Sequence, residues 1–197
     1  MAVIDTKGSE IVWLKNFPND DTVENIEFGA GTSYFGKKYF PLCYLNDVTD
    51  NNLKHFFGIN DYDSTNCHYL DHICDFNKID FQGRTFNKVI FCNPSDLGFR
   101  GREFSKEFLN KTANILSDNG SIIIIGNSTN PWSKYHNVKR YLERLTNDGE
   151  LISQFIISDL IVLDDTHEYR KNVFTHSDIN TVAYPNELFT ITKNSHD

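Results

Sequence analysis

Val23-Glu24-Asn25-Ile26-Glu27-Phe28-Gly29-Ala30-Gly31-Thr32-Ser33 is the stretch whose reading decides the fold. Val23 to Phe28 reads as a short strand. Gly29 and Gly31 close it, letting the backbone turn tightly and approach a ligand with no Cβ in the way. A helix over about Ser33 to Phe40 follows, and Pro41 ends it because proline has no N–H to donate. Strand, glycine turn and helix open an α/β unit, and the downstream sequence continues it. A second run, Leu42 to Leu45, closes at Asn46-Asp47. A polar helix-like stretch, Asn51 to Phe57, precedes a third run near His68 to Ile73. A fourth run, Lys88 to Cys92, ends at Asn93-Pro94.

Farther on, Glu103 to Leu116 carries Phe104, Phe108, Ile115 and Leu116 at helix-compatible spacing, and Asp118-Asn119-Gly120 closes it. Ser121 to Ile125 holds consecutive isoleucines. A short β-branched run without polar interruption reads as a strand buried on both faces, central in a parallel sheet. Trp132 to Thr146 reads as a helix with Leu142 and Leu145 inward. Leu151 to Ile157 and Leu188 to Thr192 read as an antiparallel pair at one sheet edge. Leu160 to Leu163 is a candidate further strand inside an otherwise irregular segment, Asp159 to Asn186. The expectation is a single α/β domain over 1–197, with its core at about 23–157 and an irregular tail with the last strand over 158–193.

Composition narrows the class. The 197 residues suit one domain with one substantial core. Lys plus Arg number 19 against 27 Asp plus Glu, a net charge of −8, which disfavours a whole-surface grip on nucleic acid. Hydrophobic content of 39% with mean hydropathy −0.45 is that of a globular chain. No apolar run reaches the roughly 18–20 residues that span a bilayer. Met1 to Glu10 has no basic-then-apolar secretory pattern, and Cys43, Cys67, Cys74 and Cys92 show no CxxC spacing, so a cytoplasmic, reduced setting is expected.

In parallel α/β sheets ligands bind beyond the carboxyl ends of the strands. Three nucleotide-loop readings compete at the first strand end. A dinucleotide GxGxxG needs glycine at 34, where Tyr34 stands. A phosphate loop matches Gly31 to Lys37, but Lys38 stands where a hydroxyl should hold magnesium. The third reading uses Glu27, two residues before the first glycine, with Asp47 after strand two. Carboxylates at those places suit a nucleoside that bears a cationic amino acid, one holding the ammonium and the other the ribose hydroxyls.

On these motifs the chain resembles the class I S-adenosylmethionine-dependent methyltransferases, from about Val23 to Gly126. Glu27-Phe28-Gly29-Ala30-Gly31 is similar to their first motif, and Asp47, next to Val48, resembles the ribose-binding acid. Asp75-Phe76 resembles the position where an acid and a neighbouring backbone N–H meet adenine. Lys88 to Pro94 resembles the fourth motif, where methyl group and substrate meet. The resemblance implies a Rossmann-like, doubly wound, mostly parallel sheet with an antiparallel C-terminal edge strand. It also implies S-adenosyl-L-methionine as cofactor and methyl transfer as the activity. Asn93-Pro94-Ser95-Asp96 matches half of the N-P-P-aromatic motif of amino-group methyltransferases. That leans the methyl acceptor toward an amino group of a small molecule, nucleic-acid base or protein, with Asn93, Pro94 and Asp96 as candidate catalytic residues. Phe99 or Trp132 is a candidate for the missing ring. A phosphate-loop hydrolase on Gly31 to Lys37 and a non-catalytic Rossmann-like binding protein are the alternatives.

Three other features read most simply as structural. Cys67, His68, His72 and Cys74 do not share one strand face, which suits a zinc tetrahedron poorly. Asp164-Asp165-Thr166-His167-Glu168 reads as an acidic solvated loop. Arg100, Arg102, Lys106 and Lys111, with Lys134, Lys139, Arg140 and Arg144, read as solvated helix faces, a local nucleic-acid patch being the lesser reading. Tyr34 and Phe35 follow the glycine loop and are the aromatics expected nearest a ligand.

Overall fold

The computed structural model describes residues 3–4, 11–12, 23–30, 35–47, 72–73, 76–81, 83–94, 97–171, 174–176 and 181–194. Strands β1 (Val3–Ile4) and β2 (Ile11–Val12) pair antiparallel as a ribbon of their own. The main sheet starts at β3 (Asn25–Phe28), followed by α1 (Phe35–Tyr39), β4 (Cys43–Asp47) and β5 (His72–Ile73). Next come β6 (Phe86–Cys92), α2 (Arg102–Ile115), β7 (Leu116–Gly126), α3 (Tyr135–Asn147), β8 (Gln154–Ile157) and β9 (Ile161–Val162). A second ribbon, β10 (Phe174–His176) with β11 (Thr181–Ala183), precedes β12 (Glu187–Asn194).

The sheet order is β5-β4-β3-β6-β7-β12-β8, with β9 also on β12. Strands β5, β4, β3, β6 and β7 run parallel. β12 is antiparallel to β7, β8 and β9. The antiparallel last strand is as expected, but it is inserted between β7 and β8, so β8 forms the edge. β8 and β9 divide the far side of β12: β8 pairs with Ile191 to Asn194, and β9 with Glu187 and Leu188. Ser158 links the two stretches, donating its N–H to the Thr190 carbonyl at 2.9 Å and accepting the Thr190 N–H on Oγ at 3.0 Å.

Both faces of the sheet are covered, and the isoleucine run shows why. Ile122 and Ile124 point into the core under α2 and α3, where Phe91, Phe108, Leu109, Val138, Leu142 and Leu145 pack. Ile123 and Ile125 point into the opposite core, with Phe35, Cys43, Leu45, Ile90, Cys92 and Leu163. Alternation of side chains across a pleated strand sends one strand into two cores. Phe104 departs from the expected inward face of α2. It is exposed and lies edge-on to Trp132 at 5.6 Å.

Helix α2 ends one residue earlier than the spacing predicts. Leu116 already pairs with Phe86, and the next paired residue is Ser121 opposite Lys88. Ser117 to Gly120 is thus a loop within the strand, with Asn119 at φ 60°, a conformation asparagine tolerates. The segment that resisted sequence reading packs on α1. Leu163 is buried there, and the Tyr169 ring lies 4.9 Å from Phe35 and 4.7 Å from Tyr39.

Candidate functional site

The chain leaves β3 toward β4 on one side and returns through β6 on the other. The crevice beyond these two strand ends is the place where strand order reverses. Gly29, after β3, has φ 67°, and Asn93, after β6, has φ 46°. Both backbones therefore turn sharply away from the sheet at the crevice, one with glycine and one with the side chain that best tolerates that region.

Glu27 is fully buried beneath α1. Its Oε2 accepts the Gly36 N–H at 2.6 Å. A Cβ on residue 36 would lie 2.6 Å from that oxygen and 2.7 Å from Cys43 Sγ, so glycine there is what lets the helix sit on the carboxyl. Among the described residues Oε1 has no hydrogen-bond partner. The Cys92 thiol near the carboxyl is a weak donor and opposes the effect of burial. Burial pushes the Glu27 carboxyl up to about 8, the Gly36 and Cys92 donors oppose this, and the nearby Asp47 charge adds to it. Burial also raises the Cys92 thiol, and the Glu27 charge raises it further. Glu27 and Asp47 therefore sense each other across two adjoining strand ends.

The same geometry counts against a phosphate loop. Among the first N–H groups of α1, that of Gly36 faces a carboxyl instead of an anion site, and the helix is 5 residues long. Lys37 and Lys38 are exposed at its end. Phe35, expected near a ligand, is fully buried in the second core.

Phe28 and Phe76 are core side chains, their rings 4.8 Å apart edge to face. At those positions only backbone is left to face a ligand. Phe99 is buried against Phe108, and Trp132 is buried between Phe104 and Arg100, so neither presents a free ring to the crevice. Gly31, Tyr34, Val48, Asp75 and Asp96 lie outside the described residues. So do Cys67, His68 and Cys74 of the zinc reading. Among the described residues no group of His, Cys, Asp and Glu is arranged to hold a metal ion, and no helix is long and apolar enough to cross a membrane.

Sequence reasoning missed Asn130. It is buried after β7, and its Nδ2 donates to Asn93 Oδ1 at 2.8 Å and to the Pro94 carbonyl at 2.9 Å. Its Oδ1 accepts the Trp132 N–H at 2.9 Å. The available signal was its position: Gly126 to Pro131 follows a central strand, as Asn93 does. Asn186 ties the same corner together, donating its N–H to the Gly126 carbonyl at 2.8 Å and accepting the Ser128 N–H at 2.7 Å.

Several residues of the other charged stretches are engaged in structure. Arg102 pairs with Asp148 and with Glu150, the latter at 2.7 Å, and Lys106 meets Glu150 at 3.1 Å. Lys111 lies over the Phe76 ring and Arg140 over Tyr141. Asp164 Oδ1 accepts from Thr166 and from the His167 N–H, which hold its carboxyl below the usual range.

No protein-family model matches the sequence, and no curated protein matches it. Solved structures do match. A methyltransferase dependent on S-adenosylmethionine from Clostridium acetobutylicum superposes with TM-score 0.52 at 11% identity, covering 89% of this chain and 85% of that one. The N-methyltransferase NodS from Bradyrhizobium japonicum gives 0.50 at 9%, covering 88% and 86%. A TehB-like methyltransferase from Corynebacterium glutamicum, also dependent on S-adenosylmethionine, gives 0.50 at 12%, covering 88% and 81%. The chain therefore has the Rossmann-like fold of the class I S-adenosylmethionine-dependent methyltransferases.

Proposed function

We propose that the chain binds S-adenosyl-L-methionine in the β3–β6 crevice and transfers its methyl group. The observation that carries this reading is Glu27. A buried carboxyl with an orphaned oxygen, at a strand end adjoining that of Asp47 and below a glycine turn, holds its proton until a cation is brought to it, which a nucleoside bearing an ammonium would do. Glu27 faces the methionine ammonium side, directly or through water, and holds α1 through Gly36. Gly29 and Gly31 allow close backbone approach. Asp47 and Val48 serve the ribose, Asp75 and the Phe76 backbone the adenine. Asn93, Pro94 and Asp96 lie at the methyl.

The bound sulfonium supplies an activated methyl group. The chain's own work is to orient the acceptor and keep water out. Asn93 is well set for this, since its N–H donates to the Ile125 carbonyl at 2.6 Å and its side chain is tied to Asn130. The half-matched motif at Asn93 leans the acceptor to an amino group of a small molecule, nucleic-acid base or protein. The Glu27–Gly36 contact disfavours the nucleotide-hydrolase alternative.

Calorimetry tests the cofactor. The wild-type chain should bind S-adenosylmethionine, and Asp47→Ala should lose about a hundredfold or more in affinity, since it removes charge-assisted bonds of about 1.5–3 kcal/mol each. Its melting temperature should stay near that of the wild type. Unchanged affinity would sink the ribose assignment, and no binding by the wild type would sink the reading as a whole.

A further inference from the structure

Strand β8 is the outermost strand of the main sheet, and its sheet partner is β12 on one side. The Ser158 N–H points at β12, reaching the Thr190 carbonyl at 2.9 Å. In an antiparallel ladder the backbone groups of successive residues point to opposite sides. Those of Ile156 therefore face β12, and the N–H and carbonyl groups of Phe155 and Ile157 face away from it. Among the described residues nothing bonds to these outward groups.

The side chains along this edge are as open as its backbone. Of the seven exposed large apolar side chains among the described residues, four are Ile152, Ile156, Ile161 and Val162. Residues 151–163 carry one charged side chain, Asp159, in a chain that is 23% charged. Edge strands that stay unpaired are commonly guarded by lysine, proline or a bulge. β8 has none of these: it reads Gln154-Phe155-Ile156-Ile157, and its register with β12 is unbroken.

We infer that the β8 edge pairs antiparallel with β8 of a second copy of this chain, about a twofold axis at Ile156. The outward groups are self-complementary in that register. Phe155 of one copy meets Ile157 of the other, and each such pair exchanges both of its backbone hydrogen bonds. Ile156 then meets Ile156 as the non-hydrogen-bonded pair, where facing side chains come closest. Gln154 meets Ser158, so no charge opposes a like charge, and the two Asp159 carboxylates lie at opposite ends of the seam. The same pairing lays the Ile152 end of one copy beside the Ile161 and Val162 end of the other. Charge selects this occupant. A molecule of net charge −8 repels its own copy least where charge is scarce, whereas a basic partner would gain little on this strip. A twofold contact uses this edge of both copies, so pairing stops at two. The seam is at the opposite end of the sheet from β5, and it does not depend on the cofactor reading.

Sedimentation equilibrium on the full chain tests this. At about 100 μM, where a dimer of micromolar affinity is nearly complete, the wild type should show twice the 22.8 kDa of one chain. Ile156→Lys sets two ammonium groups together at the axis and should return the mass to that of one chain. Ile156→Val should keep it doubled. Ile156 is 59% exposed, so both variants should melt near the wild type. Cross-linking reads the register. On mild oxidation Ile156→Cys should form several-fold more disulfide-linked dimer than the wild type or Ile152→Cys, because only at the axis do identical residues face each other closely. The inference is overturned if the wild type is a single chain or larger than two. It is equally overturned if Ile156→Lys stays doubled, or if Ile152→Cys links as readily as Ile156→Cys.

Discussion

Glu27 is the residue at which stability and the proposed cofactor binding meet. Its carboxyl is fully buried, and burial carries it from an ordinary value of 4.5 to about 8. Between those two values the folded chain keeps a proton that the unfolded chain has lost. Stability therefore falls as pH rises through that window and levels off above about 8, with a limiting slope of about 1.4 kcal/mol per pH unit. Glu27→Gln resembles the protonated acid in shape, keeps an acceptor for the Gly36 N–H and removes the titration. Urea midpoints between pH 5 and 8 should fall less steeply in that variant than in the wild type, and parallel curves would show that Glu27 ionises normally. The place of this residue at a strand end was legible, because an acid two places before a glycine turn is a local pattern. Its burial under Gly36 was not, since that contact depends on where α1 lands. Asn130 was illegible for a related reason. Turn-forming residues between a strand and a helix read as an ordinary connection until the β6 exit is placed beside them.

At the scale of elements, α1 is the weak member. Five residues cannot hold a helix by their own hydrogen bonds, so packing must do it. Phe35 and Gly36 press it onto the sheet from below. Leu163 joins the core around Phe35, while Tyr169 packs on Phe35 and Tyr39 and the Tyr39 hydroxyl donates to the Glu168 carbonyl at 3.3 Å. Tyr169→Ala should lower the unfolding free energy by about 1–3 kcal/mol and speed hydrogen exchange at the Gly36 amide beyond that global change. Exchange that tracks the global loss alone would show that the segment does not hold α1. The strands were read well wherever β-branched residues cluster, as in Ser121 to Ile125. The register jump at Ser117 to Gly120 and the docking of 163–171 arise from tertiary contacts, and no local periodicity announces them.

For the whole molecule, the alternation of strands and helices foretold a parallel sheet, and the tail foretold antiparallel pairing. The order of strands was not foretold, because β3, β4 and β6 carry similar runs and nothing local says which are neighbours. Order shapes the candidate site, since it alone brings Gly29 and Asn93 to one crevice. The net charge of −8 also takes on a location, as Glu27 and Asp47 stand at adjoining strand ends. The basic stretches of α2, by contrast, are largely balanced by Asp148 and Glu150.

The position of β12 has a consequence for how the chain is made. Its pairing partners β7, β8 and β9 are all translated before it, yet among the described residues β8 and β9 pair with the rest of the sheet only through it. On the ribosome, residues 154–162 therefore wait without a sheet to join, with Ile156, Ile161 and Val162 exposed even in the finished fold. Such long-range closure is slow and leaves apolar strands open to misassociation. A nascent chain arrested before Glu187 should be digested by protease within 154–186 while the full chain resists, and equal resistance would show that the sheet closes without its final strand.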